Sequence, residues 1–251
     1  MFISGFTFSQ NKSIKLPKGS GLKFNYSDKF ITPILNIYVS KNGNISFLNT
    51  HIPIEKLGDS IYKYRNKQPV ELLLSLQNHI YADKKTPYKY IDAVKKELNR
   101  AVSFNIFYRT GNTLDITKGI MTFLEKYSLT KIKEPIKAAE DVIFVDFPIV
   151  LDPVNKIQED LYNLKFDEVK KSLLKAKYCK IKIFNKNKIL INNKKISLKN
   201  EAEIYDAMKD NDFFFLFTEK NICYQDYIRN LSILRKSHKK YEKKISIIDI
   251  S

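Results

Sequence analysis

Hydrophobic and polar positions follow the same succession twice along this chain. In the first half, Ile34 to Val39 alternates apolar and polar side chains, Lys41-Asn42-Gly43-Asn44 offers an Asn-Gly turn suited to a two-residue hairpin, and Ile45 to Leu48 returns. After Pro53, the helical spacing of Leu57, Ile61 and Tyr64 predicts a helix closed by Asn66 to Pro69. The apolar run Val70 to Leu76 predicts a buried strand. Lys89 to Ala101 predicts an amphipathic helix with Tyr88, Ile91, Val94, Lys95 and Leu98 on one face, and Val102 to Tyr108 the next strand. The joint between strand and helix is Ala82-Asp83-Lys84-Lys85-Thr86-Pro87-Tyr88. There Asp83 and Thr86 are placed to cap the helix by accepting from its first amides, and Pro87 fits a turn where no donor is lost.

The second half repeats the order. Lys180 to Phe184, the turn Asn185-Lys186-Asn187-Lys188 and Ile189 to Ile191 form a hairpin, and Asn200 opens a helix with Ile204, Ala207 and Met208 inward. Phe213 to Phe217 follows as a buried strand, then Thr218-Glu219-Lys220, a helix from Gln225 to His238 and a strand from Ile245 to Ile250. Thr218-Glu219-Lys220 lies over Ala82-Asp83-Lys84, and Tyr224 over Tyr88, each 136 positions on. Repetition on this scale indicates duplication of a whole domain. The expected fold is α+β: two similar domains, each a small sheet in ββαβαβ order with two helices on one face, its crossovers right-handed. Between them, Ile116 to Tyr127 and Ile157 to Ala176 read as helical, Val142 to Val145 as β-rich, and Pro135, Pro148 and Pro153 as breaks. These signals divide the chain into an N-terminal segment 1–21, a first domain 22–130, a linker 131–141 and a diverged second domain 142–251.

Composition changes the picture in two ways. The chain has 251 residues, 43% of them hydrophobic, which is enough to build two cores. The excess of 44 Lys and Arg over 27 Asp and Glu gives +17, which favours an anionic neighbour. A generally solvated basic surface and a dedicated patch both fit that number. Seven lysines and no acid lie between Lys180 and Lys199, and seven basic residues surround Glu242 between Arg229 and Lys244. Hairpin and helix would form one basic face from Lys180, Lys182, Lys186, Lys188, Lys194 and Lys195 with Arg235, Lys236, Lys239 and Lys240. A nucleic-acid reader interleaves exposed aromatics with such charge, and Phe184 and Tyr241 are the only candidates, so nucleic acid is disfavoured as the partner. Lipid headgroups and cell-wall polymer are the other anionic neighbours.

The order strand, A-D-K-x-T-P-Y, amphipathic helix, strand resembles the exported domain of the ExbD/TolR family, the single-span partners of proton-driven motors in bacterial inner membranes. That family also places a Leu-Pro step after its span, as Leu16-Pro17 stands in Ile14-Lys15-Leu16-Pro17-Lys18-Gly19. The resemblance covers Ile14 to Thr110. The second copy departs from it, with Glu219 for aspartate, Cys223 for proline and no Leu-Pro entry; the first lacks the glycine common after its helix, having Arg100-Ala101-Val102. The resemblance implies a dimeric subunit joined through its span to a pentameric ExbB/TolQ-like membrane protein. It would pass motion to a TonB- or TolA-like protein or to peptidoglycan, and bind partner peptides by adding a strand to a sheet edge. Phe2 to Phe8 is too short and too broken to cross a bilayer, and no secretory signal is visible. The sequence starts about where the family's span would end. It is therefore expected to be the periplasmic part of a longer inner-membrane protein; with Met1 as the native start it would be cytoplasmic and lack the aspartate of the proton-linked role.

Candidate chemistry is sparse. Asp83 and Glu219, each followed by a lysine (Lys84, Lys220), are the acids to test as catalytic, but both sit at a strand-to-helix turn where an acid offsets the helix dipole. Tyr88, Tyr90, Tyr224 and Tyr227 open the two helices, either as core or as a contact surface. Cys179 and Cys223 read as small buried hydrophobes, or as a pair if exported. His51, His79 and His238 have no metal-ligand spacing. No Ser-His-Asp set or phosphate-cradling loop is present, so no enzyme activity, metal or cofactor is expected.

Overall fold

The computed structural model describes residues 14–19, 33–73, 76–103, 105–111, 118–123, 178–184, 187–211, 213–239 and 246–250. The expected domain edges at 21, 130 and 142, the linker 131–141, the β-rich Val142 to Val145 and the helical segment Ile157 to Ala176 lie outside these residues.

The architecture is mixed α+β, with two sheets that each carry helices on one face. The first sheet contains β1 (Ile34–Val39), β2 (Ile45–Phe47), β3 (Thr50–Ile52), β4 (Gln77–Ala82), β5 (Asn105–Arg109) and β6 (Gly119–Phe123) in the order β3-β2-β1-β4-β5-β6. β1, β4 and β5 run parallel, while β2, β3 and β6 are antiparallel to their neighbours. Its helices are α1 (Leu57–Arg65), the single turn α2 (Val70–Leu73) and α3 (Tyr88–Arg100). The second sheet contains β7 (Tyr178–Ile183), β8 (Lys188–Ile191), β9 (Lys194–Ser197), β10 (Phe213–Thr218) and β11 (Ser246–Ile250) in the order β11-β10-β7-β8-β9. Its helices are α4 (Glu201–Met208) and α5 (Tyr224–Lys239).

Strand alternation decides which side chains enter the core. Leu35, Ile37 and Val39 on β1, and Cys179, Ile181 and Ile183 on β7, are buried toward the helices. There they join Ile61, Ile91, Val94 and Leu98 of the first copy and Ile204, Met208, Ile228 and Leu231 of the second in one continuous cluster. Each such fully buried aliphatic side chain contributes about 1.5–3 kcal/mol. Asn200 caps α4 by accepting from the Glu203 amide.

Each copy has a third meander strand that the expected ββαβαβ order omits. β3 and β9 are reached through two-residue turns with positive φ at Leu48 and Asn49 (48° and 63°) and at Asn192 and Asn193 (47° and 67°). A leucine in that conformation gives no sequence signal. The first hairpin is present, but its loop has three residues: Ser40 and Asn44 pair, and Gly43 alone takes a positive φ of 86°. Val70–Leu73 is a helical turn rather than a strand, because Pro69 starts it and the Leu72 amide donates back to the Pro69 carbonyl. The strand begins later, at Gln77, with polar residues Gln77, Asn78 and His79 all buried. Gly119–Phe123, expected to be helical, pairs antiparallel with β5.

The end of α3 answers the missing glycine. The Val102 amide donates to Asn99 and the Ser103 amide to Leu98, a Schellman closure. Val102 takes the left-handed position at φ 55°, so that residue shifts the next strand start from Val102 to Asn105.

Candidate functional site

The two strand-to-helix corners meet each other. β4 ends at Ala82, and Asp83 continues its line by donating its amide to the Val39 carbonyl at 3.1 Å. In the second copy Glu219 donates to Ile183 at 3.0 Å. Beyond these points the corners exchange backbone bonds reciprocally. The amides of Tyr88 and Lys89 donate to the carbonyls of Ile222 and Lys220, at 2.8 and 2.9 Å. Those of Tyr224 and Gln225 donate to Thr86 and Lys84, at 2.7 and 3.0 Å. A shift of 136 positions turns the first pair of bonds into the second, so the contact is two-fold in pattern, with Pro87 opposite Cys223 at its centre.

This arrangement corrects the capping assignment. Pro87 is the N-cap residue of α3, and no side chain caps it. The first amides of each helix are satisfied by carbonyls of the other corner, which leaves Asp83 and Thr86 for other work. Asp83 is nearly buried, and its two carboxylate oxygens accept from the Lys85 and Lys15 amides, each at 2.9 Å. The Thr86 hydroxyl donates to the Ser40 carbonyl at 3.2 Å. Glu219, in the equivalent place, is exposed and pairs with Lys182 at 2.8 Å.

The segment containing Leu16-Pro17 straps the junction. The Lys84 amide donates to Lys15 at 2.7 Å and the Gly111 amide to Pro17 at 2.9 Å. The Gln225 side chain brackets Lys18, accepting from its amide at 2.7 Å and donating to its carbonyl at 3.1 Å. Leu16 and Pro17 are buried beneath these bonds. The Leu-Pro step and the Asp83 corner thus form one contact, and Gln225 and Lys15 are the members of it that sequence reasoning missed. Neither carries a pattern, because Lys15 takes part through its own backbone amide and carbonyl, and the Gln225 side chain bonds to the backbone of Lys18.

Inside the junction lie Tyr88, Tyr224, Tyr227 and Tyr108, all buried. Tyr88 and Tyr227 have ring centroids 4.5 Å apart, and Tyr108 meets Tyr227 edge-on at 5.6 Å. The Tyr227 hydroxyl donates to that of Tyr108 at 3.3 Å, and the buried Lys95 ammonium donates to the Tyr88 hydroxyl at 3.0 Å. Burial, and secondarily Tyr108, pushes the Tyr224 phenol well above its ordinary value. Tyr90 is half-buried and packs against the core from outside.

The sheet faces turned away from the helices differ between the copies. In the first, His79 stacks on Phe107 at 4.8 Å, Tyr38 on Tyr81 at 4.8 Å, and Arg109 lies fully buried 5.0 Å from the Tyr81 ring centroid. Burial first, then the Arg109 charge, lowers the His79 pKa to about 3, so its imidazole is neutral. In the second copy the same face carries Lys180, Lys182, Lys188 and Lys195, all exposed.

Of the expected basic face, Lys180, Lys182, Lys188 and Lys195 lie together on the side of the sheet away from the helices. α5, which carries Arg235, Lys236 and Lys239, packs against the opposite side of the sheet, through Ile228, Leu231 and Leu234. Lys194 also belongs to the helix side, pairing with Glu203 of α4 at 3.0 Å. Lys186 and Lys240 lie outside the described residues.

Chemically, the junction offers attachment. Asp83 is committed to two amides and Glu219 to an exposed ion pair. Burial raises the Cys179 thiol to about 12, and both cysteines are free. Among the described residues, no group of three His, Cys, Asp or Glu side chains is placed to hold a metal, and no helix is long and apolar enough to cross a membrane. Compared with protein-family models, with curated proteins and with solved structures, the chain matches none.

Proposed function

We propose that this chain is the non-catalytic, exported part of an ExbD/TolR-like subunit of a proton-driven inner-membrane complex, transmitting motion to a TonB/TolA-like partner or the cell wall. The observation that carries the reading is the use made of the family-like motif. The A-D-K-x-T-P-Y corner spends its acid on the Leu-Pro strap and its backbone on a second copy of itself. A motif committed to assembly suits a part that transmits force, and a three-stranded meander followed by two βα units with helices on one face suits the same reading. The paired copies supply within one chain what a homodimer supplies in the family. Partner peptides would add to an outer strand of a sheet, where backbone donors and acceptors face outward. The ExbB/TolQ-like subunit would be met through a membrane span joined to the strap.

Purification of the full-length protein from its native membranes tests this. An ExbB/TolQ-like multispan subunit recovered in fixed ratio is the expected result. Recovery without such a subunit, on nucleic acid, would instead favour a soluble basic structural protein binding an anionic polymer, the reading that the four exposed lysines of the second sheet support.

A further inference from the structure

We propose that the outer face of the second sheet is a docking surface for anionic phospholipid headgroups. The inference goes beyond the exported-subunit reading and does not depend on it.

The argument begins with how the copies differ. Toward the helices they match: Ile37 and Ile181, Val39 and Ile183, Ile45 and Ile189 take equivalent places in the two registers, and all are buried. On the outer face they part. Tyr38 and Lys182 hold the same position, since each lies one residue before the strand's last and opposite the penultimate residue of the next parallel strand. Tyr38 packs on Tyr81, whereas Lys182 reaches solvent. Core packing explains the matching positions; it does not ask for lysines on the other side.

Register then places the charges. Lys182 stands opposite Leu190, and Leu190 opposite Lys195, so one row crosses three strands as cation, apolar side chain, cation. Lys180 stands one repeat along β7, roughly 7 Å away, with strands about 4.8 Å apart. Lys188 adds a further exposed cation on β8. Among the described residues, Glu219 pairs with Lys182 at the border of this face.

By register Lys180 stands opposite Phe215 and Lys182 opposite Phe217 and Leu190, so the face sets cations among apolar residues, the two components that a headgroup plane takes up. Nucleic-acid platforms on sheets stack bases on open aromatic faces. Among the aromatics of this face whose burial is described, Phe184 and Phe217 are both half-buried, and the Lys195 ammonium lies 5.7 Å from the centroid of the Phe184 ring. Lysines on flexible stems suit phosphates whose positions vary, while their stems and Leu190 give the interface an apolar component.

The test is sedimentation of the purified chain with phosphatidylcholine vesicles, with and without phosphatidylglycerol. Binding is expected only with the anionic lipid, weakening as salt rises. The triple variant Lys180→Gln, Lys182→Gln, Lys195→Gln should lose about tenfold or more of that binding. A control of equal charge, Lys56→Gln, Lys63→Gln, Lys67→Gln on the first copy, should retain it, with thermal unfolding confirming that both triples fold. Three results would each overturn the proposal: no binding to anionic vesicles, equal weakening by the control, or a face-dependent preference for an oligonucleotide over the vesicles.

Discussion

Tyr88 and Tyr224 each give their backbone amide to the other's corner, Tyr88 to Ile222 at 2.8 Å and Tyr224 to Thr86 at 2.7 Å. This exchange makes the two copies one body and leaves Pro87 facing Cys223 across its centre.

Proline should therefore be accepted on both sides. Pro87 shows that the position tolerates a φ of −59°, and the exchanged bonds come from the residues that follow, Tyr88 and Tyr224. Cys223→Pro is expected to leave stability unchanged or raise it by up to about 1 kcal/mol through the unfolded chain. Thermal unfolding checks this; a marked fall in midpoint would show that the two sides are not equivalent.

The two acids should separate cleanly. Asp83→Ala removes the acceptor of two backbone amides in a nearly buried corner and is expected to cost about 2–3 kcal/mol. Glu219→Ala removes an exposed ion pair with Lys182 and should cost under about 0.5 kcal/mol. Urea unfolding of the two variants measures both values.

Val102 carries a strained backbone at φ 55°, where a β-branched residue is disfavoured by about 1–2 kcal/mol. Val102→Gly is expected to stabilise the protein by about 1 kcal/mol. Destabilisation in denaturant titration would mean that the valine side chain contributes more by packing than its conformation costs.

His79 makes the first copy sensitive to acid. Its folded pKa, about 3, lies below the unfolded value of 6.5, so the unfolded chain binds the proton more tightly. Its contribution is complete above pH 6.5 and is lost as pH falls from there toward 3. Between pH 7 and pH 5 that group should remove about 2 kcal/mol. His79→Phe keeps a ring beside Phe107 and should flatten this part of the stability profile, measured by denaturant unfolding at the two pH values.

The fold was legible where side chains alternate or recur at helical spacing, and where the chain repeats itself. β1, α3 and α5 follow from that. β4 was missed because Gln77, Asn78 and His79 are buried together, which breaks alternation, and α2 was misread because a short apolar run fits strand and helix alike. At the junction the motif pointed to the right residues and the wrong partners. Capping by Asp83 is a local bond and can be read from sequence, whereas carbonyls such as those of Lys220 and Ile222 have no identity in a sequence. Of the basic residues, Lys180, Lys182, Lys188 and Lys195 share one face while Lys194 pairs across to α4, a difference that a count of charges does not contain.

The reciprocal seam has a consequence for how such a pair can change. In an assembly of two identical polypeptides, every substitution appears on both sides of the axis and the halves separate on dilution. With both halves on one polypeptide, proline can oppose cysteine, a buried aromatic layer can have a lysine-bearing counterpart, and the association no longer depends on how much protein the cell makes.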